Sequence, residues 1–210
     1  MSKDEQSPLE EKLNAISHGI GAFLGVVGLV LLIVFNSNKT TWSLFSVTIY
    51  GISIILLFTA STLYHLVKDN KLKHKFRVID HISIYLLIAG TYTPVLLITL
   101  INSKGWLLFF VVWGIAIFGL VLKLFFTGRF EIFSTILYLV MGWLIVFDFH
   151  NLSNFIDPHG ISLLFAGGLF YTVGIVFYAS YKIPFNHVIW HLFVLAGAIF
   201  HFFMIFFYII

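Results

Sequence analysis

The chain alternates long apolar runs with short polar segments, and these runs determine the predicted architecture. A polar start that includes Glu10, Glu11 and Lys12 precedes the first run, which begins at Ala15. Seven runs follow one another at residues 15–35, 42–67, 79–101, 105–126, 132–149, 160–178 and 187–209. Each is close to the ~20 apolar residues that a helix needs to cross a bilayer. The pattern therefore predicts an all-α polytopic membrane protein, a single domain over residues 1–210 that forms a seven-transmembrane helix bundle.

The composition supports a membrane location and excludes several kinds of chemistry. Hydrophobic residues make up 60% of the chain, charged residues only 10%, and the mean hydropathy is +1.02, far from the averages of soluble domains. There is no cysteine, which excludes disulfides, thiolate catalysis, cysteine-type zinc sites and c-type haem attachment. The 12 basic and 9 acidic residues are too sparse for a nucleic-acid surface. Membrane lipids are therefore the expected partners.

The distribution of basic residues predicts how the bundle is oriented. An odd number of crossings places the two termini on opposite sides of the membrane. With a cytoplasmic N-terminus, only Lys39 and Lys104 lie in outer loops, and the positive-inside rule then favours this orientation. The C-terminus is accordingly expected outside. The ten basic residues on the inner side are Lys3, Lys12, Lys68, Lys71, Lys73, Lys75, Arg77, Lys123, Arg129 and Lys182.

Half of these inner basic residues lie in one short segment between the second and third runs, from Lys68 to Arg77. We interpret this segment as a solvated loop whose charge sets the topology. The alternative is a loop that attracts anionic lipid headgroups electrostatically. The topological interpretation is favoured because a basic inner loop needs no bound partner to explain it.

Histidines at one end of the predicted bundle indicate a metal site. His187 and His191 are four residues apart at the start of the seventh helix, so their side chains lie on one face with Cβ atoms roughly 5–6 Å apart. His65 ends the second helix at the same, cytoplasmic, side. Three histidines form a known zinc ligand set that leaves a fourth position open. We therefore predict a Zn²⁺ site formed by His65, His187 and His191.

Two further polar residues are placed near the predicted metal. Asp80 begins the third helix and can serve as a general base or orient a ligand, although an ion pair with Arg77 or a helix cap is the alternative. Ser61 lies one turn before His65, where it can also bond only to its own helix backbone. His18, in the early turns of the first helix, reaches the same level. His201 lies 14 residues beyond His187, about 21 Å further along the helix, and is excluded from the metal site.

Several sequence blocks carry a specific resemblance to a known family. They are the block from Ser61 to His65, the block from Asp80 to Tyr85, the block from Ala89 to Pro94, the block from His187 to His191, and the early series Glu11, Asn14, Ser17, His18 and Gly19. Together they resemble the hemolysin III family, which is related to the progestin and adiponectin receptors and more distantly to the alkaline ceramidases. The resemblance implies that His65, His187 and His191 bind zinc, that Asp80 lies beside a metal-bound water, and that Ser61 is accessory.

The hypothesis for function is a zinc-dependent hydrolase of membrane lipid amides or esters, located in the cell membrane with its metal on the cytoplasmic side. Whether the protein is an enzyme stays open, because the same ligands suit a structural or sensory zinc in a non-enzymatic membrane-homeostasis protein. The histidines of facing helices are also compatible with haem ligation, and a bundle of this kind is compatible with a channel-like protein. No ring of acidic residues crosses the membrane in the sequence, which disfavours a channel.

A second group of potential ligands flanks the predicted outer loop between the fifth and sixth helices. It consists of two Asp-x-His pairs, Asp148 with His150 and Asp157 with His159. Short polar loops commonly contain such residues, so we favour ordinary loop polarity over a second metal site.

Overall fold

The computed structural model describes residues 6–180 and 182–210 of the chain. Across these residues the chain is helical without a strand, and seven helices are long and apolar enough to cross a membrane. The predicted all-α, seven-helix class is therefore confirmed. Residues 1–5, including Lys3, and Tyr181 lie outside the described part. The helices are α1 Pro8–Val34, α2 Ser43–Leu66, α3 Asn70–Thr99, α4 Gly105–Phe126, α5 Glu131–Phe155, α6 Pro158–Ala179 and α7 Asn186–Ile209.

Helix α1 begins at Pro8, before the apolar run that the hydropathy pattern detects from residue 15. The start is a capping box in which the backbone N–H of Glu10 donates to Ser7 Oγ at 3.3 Å and that of Ser7 donates to Glu10 Oε2 at 2.8 Å. Proline at the first helical position favours the same start. The polar first turns therefore belong to the helix, and they place Glu11 beside the end of α2.

The segment from Lys68 to Arg77 is helical over most of its length, so its prediction as a loop is wrong. Helix α3 begins at Asn70, and Asp69 caps it by accepting a hydrogen bond from Leu72 N–H at 2.8 Å. Hydropathy cannot detect these turns because their side chains are charged, although lysine favours helical backbone. Asp80 consequently lies inside α3, about 15 Å from its beginning, and neither starts the helix nor caps it.

Helix α5 is interrupted near its middle and continues beyond its predicted end at residue 149. A 3₁₀ segment, Leu144–Asp148, separates the α-helical parts Glu131–Trp143 and Phe149–Phe155. At the interruption the Tyr92 hydroxyl from α3 donates to Gly142 O at 2.9 Å and accepts from Ile145 N–H at 3.0 Å. A side chain that inserts into the helical hydrogen-bond ladder in this way is a recognised cause of a kink.

Helix α3 lies at the centre of the bundle. Its apolar window is 72% buried, against 17–56% for the other six helices, and its Tyr85 is completely buried. The surrounding helices expose large apolar side chains such as Phe23 and Phe125, as expected where a helix faces lipid rather than water.

Contacts at the two ends place the termini at opposite ends of the bundle. Glu11, near the start of α1, contacts His65 at the end of α2 and Lys73 near the start of α3. At the other end Lys39 Nζ donates to the carbonyl of Ile209 at 2.9 Å. We call the first of these the metal end, because the three predicted histidine ligands lie there.

A close approach between α3 and α4 gives the first testable prediction. A Cβ added at Gly119 would overlap the ring of the buried Tyr85, whereas one added at Gly114 of the same helix would meet no atom within 4 Å. We expect Gly119→Ala to lower the stability by about 1–3 kcal/mol through overpacking, and Gly114→Ala to leave it unchanged or slightly improved. Thermal unfolding in detergent measures both, and equal melting temperatures of the two variants would contradict the predicted contact.

Candidate metal centre

The structure brings the three predicted ligands together at the metal end. His65 comes from the last turn of α2, and His187 and His191 come from the first two turns of α7. One ring nitrogen of each lies within 4.8 Å of the others. The ring centroids are 5.3 Å apart for His65 and His187, 4.9 Å for His65 and His191, and 4.6 Å for His187 and His191. Three buried or half-buried histidines can therefore hold one metal ion.

The hydrogen bonding of these histidines fits a metal ion. Nε2 of His65, Nε2 of His187 and Nδ1 of His191 are buried and have no hydrogen-bond partner among the described residues. A buried polar atom without a partner costs about 1–3 kcal/mol. Coordination of one ion would use all three lone pairs, and a three-histidine set would leave a further coordination position for water or a ligand.

Asp80 and Ser61 line the same cavity as His187 and His191. The Ser61 hydroxyl faces the Asp80 carboxyl, but makes no hydrogen bond of ordinary geometry either to it or to its own helix backbone. Arg77, one turn before Asp80, acts on the same carboxylate electrostatically. The two predicted accessory residues therefore lie next to each other, one turn further into the bundle than His65.

Glu11 contacts the site, although the sequence alone predicts no role for it there. Its Oε2 lies 2.6 Å from Nδ1 of His65, and its Oε1 lies 2.6 Å from Nζ of Lys73. The sequence does carry a signal, because the spacing of Glu11, Asn14 and His18 by three and four residues puts them on one helix face, and Asn14 and His18 are buried. The polar face of α1 thus packs against the metal centre.

His18 is the second contribution of α1. Its ring is stacked on His191 with centroids 3.6 Å apart and an interplanar angle of 7°. Both of its ring nitrogens are buried without a hydrogen-bond partner in the described structure. The face-to-face contact restricts the orientation of the His191 ring.

A charged cluster with a fully buried lysine and a partly exposed glutamate forms another wall of the cavity. Lys123 of α4 is completely buried and donates from Nζ to Glu131 Oε2 at 2.8 Å, and His81 Nδ1 lies 3.8 Å from Glu131 Oε1. The backbone carbonyl of His81 accepts a hydrogen bond from the Tyr138 hydroxyl at 3.1 Å. His81, Glu131 and Tyr138 line the cavity together with Asp80. Lys123 is therefore an internal ion-pair partner as well as a basic residue of the metal end.

A predominantly apolar cavity adjoins the metal centre. The two cavities share six wall residues, which are Leu57, Ile84, Tyr138, Ile175, Trp190 and Val194. The apolar cavity continues between α3, α5, α6 and α7 as far as His201, whose Nε2 lies 3.2 Å from the Leu164 carbonyl. His201 is thus outside the metal site, as its position along α7 predicts.

The two Asp-x-His pairs do not form a metal-binding group in the described residues. Asp148 accepts hydrogen bonds from Ser103, from Asn151 and from the backbone N–H of Lys104. Asp157 caps α6 through the backbone N–H of His159 at 2.8 Å, and this hydrogen bond lowers the pKa of the Asp157 carboxyl below its usual value. Each aspartate therefore has a local structural role.

Sequence comparisons show which known proteins this chain is similar to. The family profile described as "Haemolysin-III related" matches residues 6–202. "Hemolysin-3" of Bacillus cereus is 47% identical over 211 residues, which cover 100% of this chain and 96% of that protein. "Hemolysin-3 homolog" of Bacillus subtilis is 48% identical over 200 residues, 95% of this chain and 94% of that protein. The human "Monocyte to macrophage differentiation factor" is 30% identical over 202 residues, 93% and 83% of the respective chains.

Proposed function

Because the chain belongs to the haemolysin III family of multi-pass membrane proteins, we propose that it is a cell-membrane zinc protein with His65, His187 and His191 as ligands. One buried ring nitrogen of each histidine has no hydrogen-bond partner within the described residues, which supports this assignment. All-imidazole ligation suits zinc, whereas magnesium and calcium prefer oxygen ligands.

We further propose that the metal end faces the cytoplasm. The basic residues at that end outnumber Lys39 and Lys104 at the other end, and positive residues favour the cytoplasmic side. Lys68, Lys71 and Lys75 are exposed there and would contact anionic lipid headgroups where the membrane contains them.

The chemistry that the site supports best is hydrolysis of a membrane lipid amide or ester. The observation that carries this proposal is the position of Asp80 and Ser61 in the wall of the cavity that His187 and His191 also line and that adjoins an apolar cavity. When bound, zinc supplies a Lewis acid that polarises a carbonyl oxygen and makes water more acidic.

The protein's own residues supply the other requirements of the reaction. The Asp80 carboxylate accepts a proton from the attacking water and passes it to the leaving group. The Ser61 hydroxyl lies beside that carboxylate in the cavity wall. The apolar cavity holds an acyl chain and excludes water from it, so that the carbonyl group at the end of the chain lies at the metal end.

A non-enzymatic zinc protein is the second candidate function. The ligands come from α2 and α7, which are far apart in the chain, so a bound ion would join the two helices. In this case zinc would stabilise the bundle of a membrane-homeostasis or sensor protein, as structural zinc sites stabilise other folds.

Replacing Asp80 distinguishes the two candidates. We expect Asp80→Asn to retain zinc and to lose hydrolysis by at least about 100-fold, the usual size of a general-base contribution. Zinc content and cleavage of N-acyl amide and acyl ester lipids are measured on the detergent-purified protein.

The control is Asp157→Asn, which removes an exposed carboxylate at the opposite end of the bundle and is expected to leave both quantities unchanged. Undiminished hydrolysis by zinc-loaded Asp80→Asn would show that Asp80 is not the base. A zinc-loaded wild-type protein that cleaves neither lipid class would instead favour the non-enzymatic role.

A further inference from the structure

The contacts of Glu11 join one metal ligand to a residue far from the cavity. Its two carboxylate oxygens are used separately, Oε2 for His65 Nδ1 and Oε1 for Lys73 Nζ, both at 2.6 Å. The His65 side chain is completely buried, whereas those of Glu11 and Lys73 are 23% and 27% exposed. The chain His65–Glu11–Lys73 therefore runs from the buried metal centre to the surface of the bundle and links α2, α1 and α3.

We propose that Glu11 is a positioning residue, which holds His65 in the tautomer that presents Nε2 to the metal, and that Lys73 keeps Glu11 in place. This proposal rests on the proposed metal site and goes beyond it. An ionised carboxylate can only accept hydrogen bonds, so its short contact with Nδ1 requires the proton of the neutral imidazole to be on Nδ1. The lone pair is then on Nε2, which is buried and has no hydrogen-bond partner among the described residues, and the three histidines are close enough for one ring nitrogen of each to share an ion.

The geometry also explains why a lysine is needed beside Glu11. A carboxylate near the hydrocarbon region is costly unless it is paired, and Lys73 supplies the pairing charge. Lys73 Nζ also lies 5.1 Å from the ring centroid of Tyr64, the residue before His65. The ammonium group is thus held by two contacts, and it fixes the side-chain conformation of Glu11 for the hydrogen bond to His65.

A positioning role predicts a specific loss of metal affinity. Removing a carboxylate that orients a metal-ligating histidine typically weakens binding by about 10–100-fold. We expect Glu11→Ala to raise the zinc dissociation constant by this factor, and Glu11→Gln to have a smaller effect because its amide oxygen can still accept from Nδ1–H. Lys73→Met is expected to weaken binding less than Glu11→Ala does. The double variant is expected to resemble Glu11→Ala, because both residues act through one chain of contacts.

The measurement is chelator competition on the full-length protein in detergent, with the visible absorption of Co²⁺-substituted protein as a second readout. A changed Co²⁺ spectrum in Glu11→Ala reports altered ligand geometry, which a general loss of stability would not produce. Glu10→Gln is the matched control, because Glu10 is the neighbouring carboxylate and bonds to Ser7 N–H rather than to a ligand. It should bind zinc like the wild type.

A third readout separates failure of this proposal from failure of the proposed function. The ¹⁵N resonances of the His65 ring in metal-free protein report which nitrogen carries the proton. We expect Nδ1 protonation in the wild type and a shift toward Nε2 protonation in Glu11→Ala. An Nε2-protonated His65 in the wild type would overturn the positioning role whether or not zinc binds. Wild-type zinc affinity and Co²⁺ spectrum in Glu11→Ala, with His65→Ala unable to bind, would reject Glu11 and leave the metal site intact.

Discussion

His191→Ala is expected to abolish stoichiometric zinc binding. The variant removes one of three imidazoles that meet within 4.8 Å. Structural zinc sites with four ligands bind with roughly 10–16 kcal/mol, so one ligand accounts for on the order of 3 kcal/mol, or more than about 100-fold in affinity. His65 and His187 alone would then lose the ion during purification. Elemental analysis of the purified protein measures the zinc content of variant and wild type side by side.

The control for this experiment is His201→Ala. His201 is also a buried histidine of α7, but its contact is the Leu164 carbonyl in the other half of the bundle, so this variant should keep its zinc. His191→Gln is included because glutamine fills more of the space beside the stacked His18 ring than alanine does. If this variant folds and still lacks zinc, misfolding does not explain the loss of zinc. Full zinc occupancy in both folded His191 variants would rule out the three-histidine site.

The grouping of the three histidines could be predicted because it depends on properties that the sequence carries directly. Span limits follow from hydropathy, and the i, i+4 spacing of His187 and His191 follows from helix geometry. His65 lies at the end of the second apolar run. Once the order and direction of the spans were set, these residues had to share one end of the bundle.

The surroundings of the metal centre depend on packing that hydropathy does not report. The first turns of α1 and α3 are polar and were expected outside helices, yet caps at Ser7 and Asp69 extend both helices beyond the apolar runs. This extension places Glu11 next to His65, and it moves Asp80 into the interior of α3. Asp80 thus lines the cavity, although its predicted position at the start of the third helix is wrong.

The burial of Lys123 is a second feature that hydropathy does not predict. A lysine near the end of a transmembrane run is usually a topology signal or extends its charge to the interface, and the sequence offers no reason to bury it. The structure buries it because Glu131 begins the next helix and meets its ammonium group at 2.8 Å. Pairs that form across a turn between helices have no fixed sequence spacing, so hydrophobic periodicity cannot reveal them.

Breaking the Lys123–Glu131 pair is expected to be among the most destabilising single changes in the bundle. Glu131→Gln leaves the fully buried Lys123 ammonium without its carboxylate. Removal of one partner from a wholly buried ion pair costs about 3–5 kcal/mol, and the partial exposure of Glu131 places the expected cost at the lower end of that range. Lys123→Met leaves the half-exposed Glu131 beside His81, so its cost should be smaller. Denaturant unfolding in detergent micelles, followed by tryptophan fluorescence, measures each variant.

The double variant Lys123→Met/Glu131→Gln separates the loss of an ion pair from a loss of packing. Removing both charges leaves no uncompensated ion, so we expect it to be more stable than Glu131→Gln alone, in line with the near-neutral cost of replacing whole buried pairs by uncharged residues. Lys104→Met is the control, because the Lys104 ammonium bonds to the Phe147 carbonyl at an exposed position and should contribute less than about 1 kcal/mol. If the double variant instead loses as much unfolding free energy as the two single variants together, packing dominates. The paired charges would then not be what holds α4 and α5 together at the metal end.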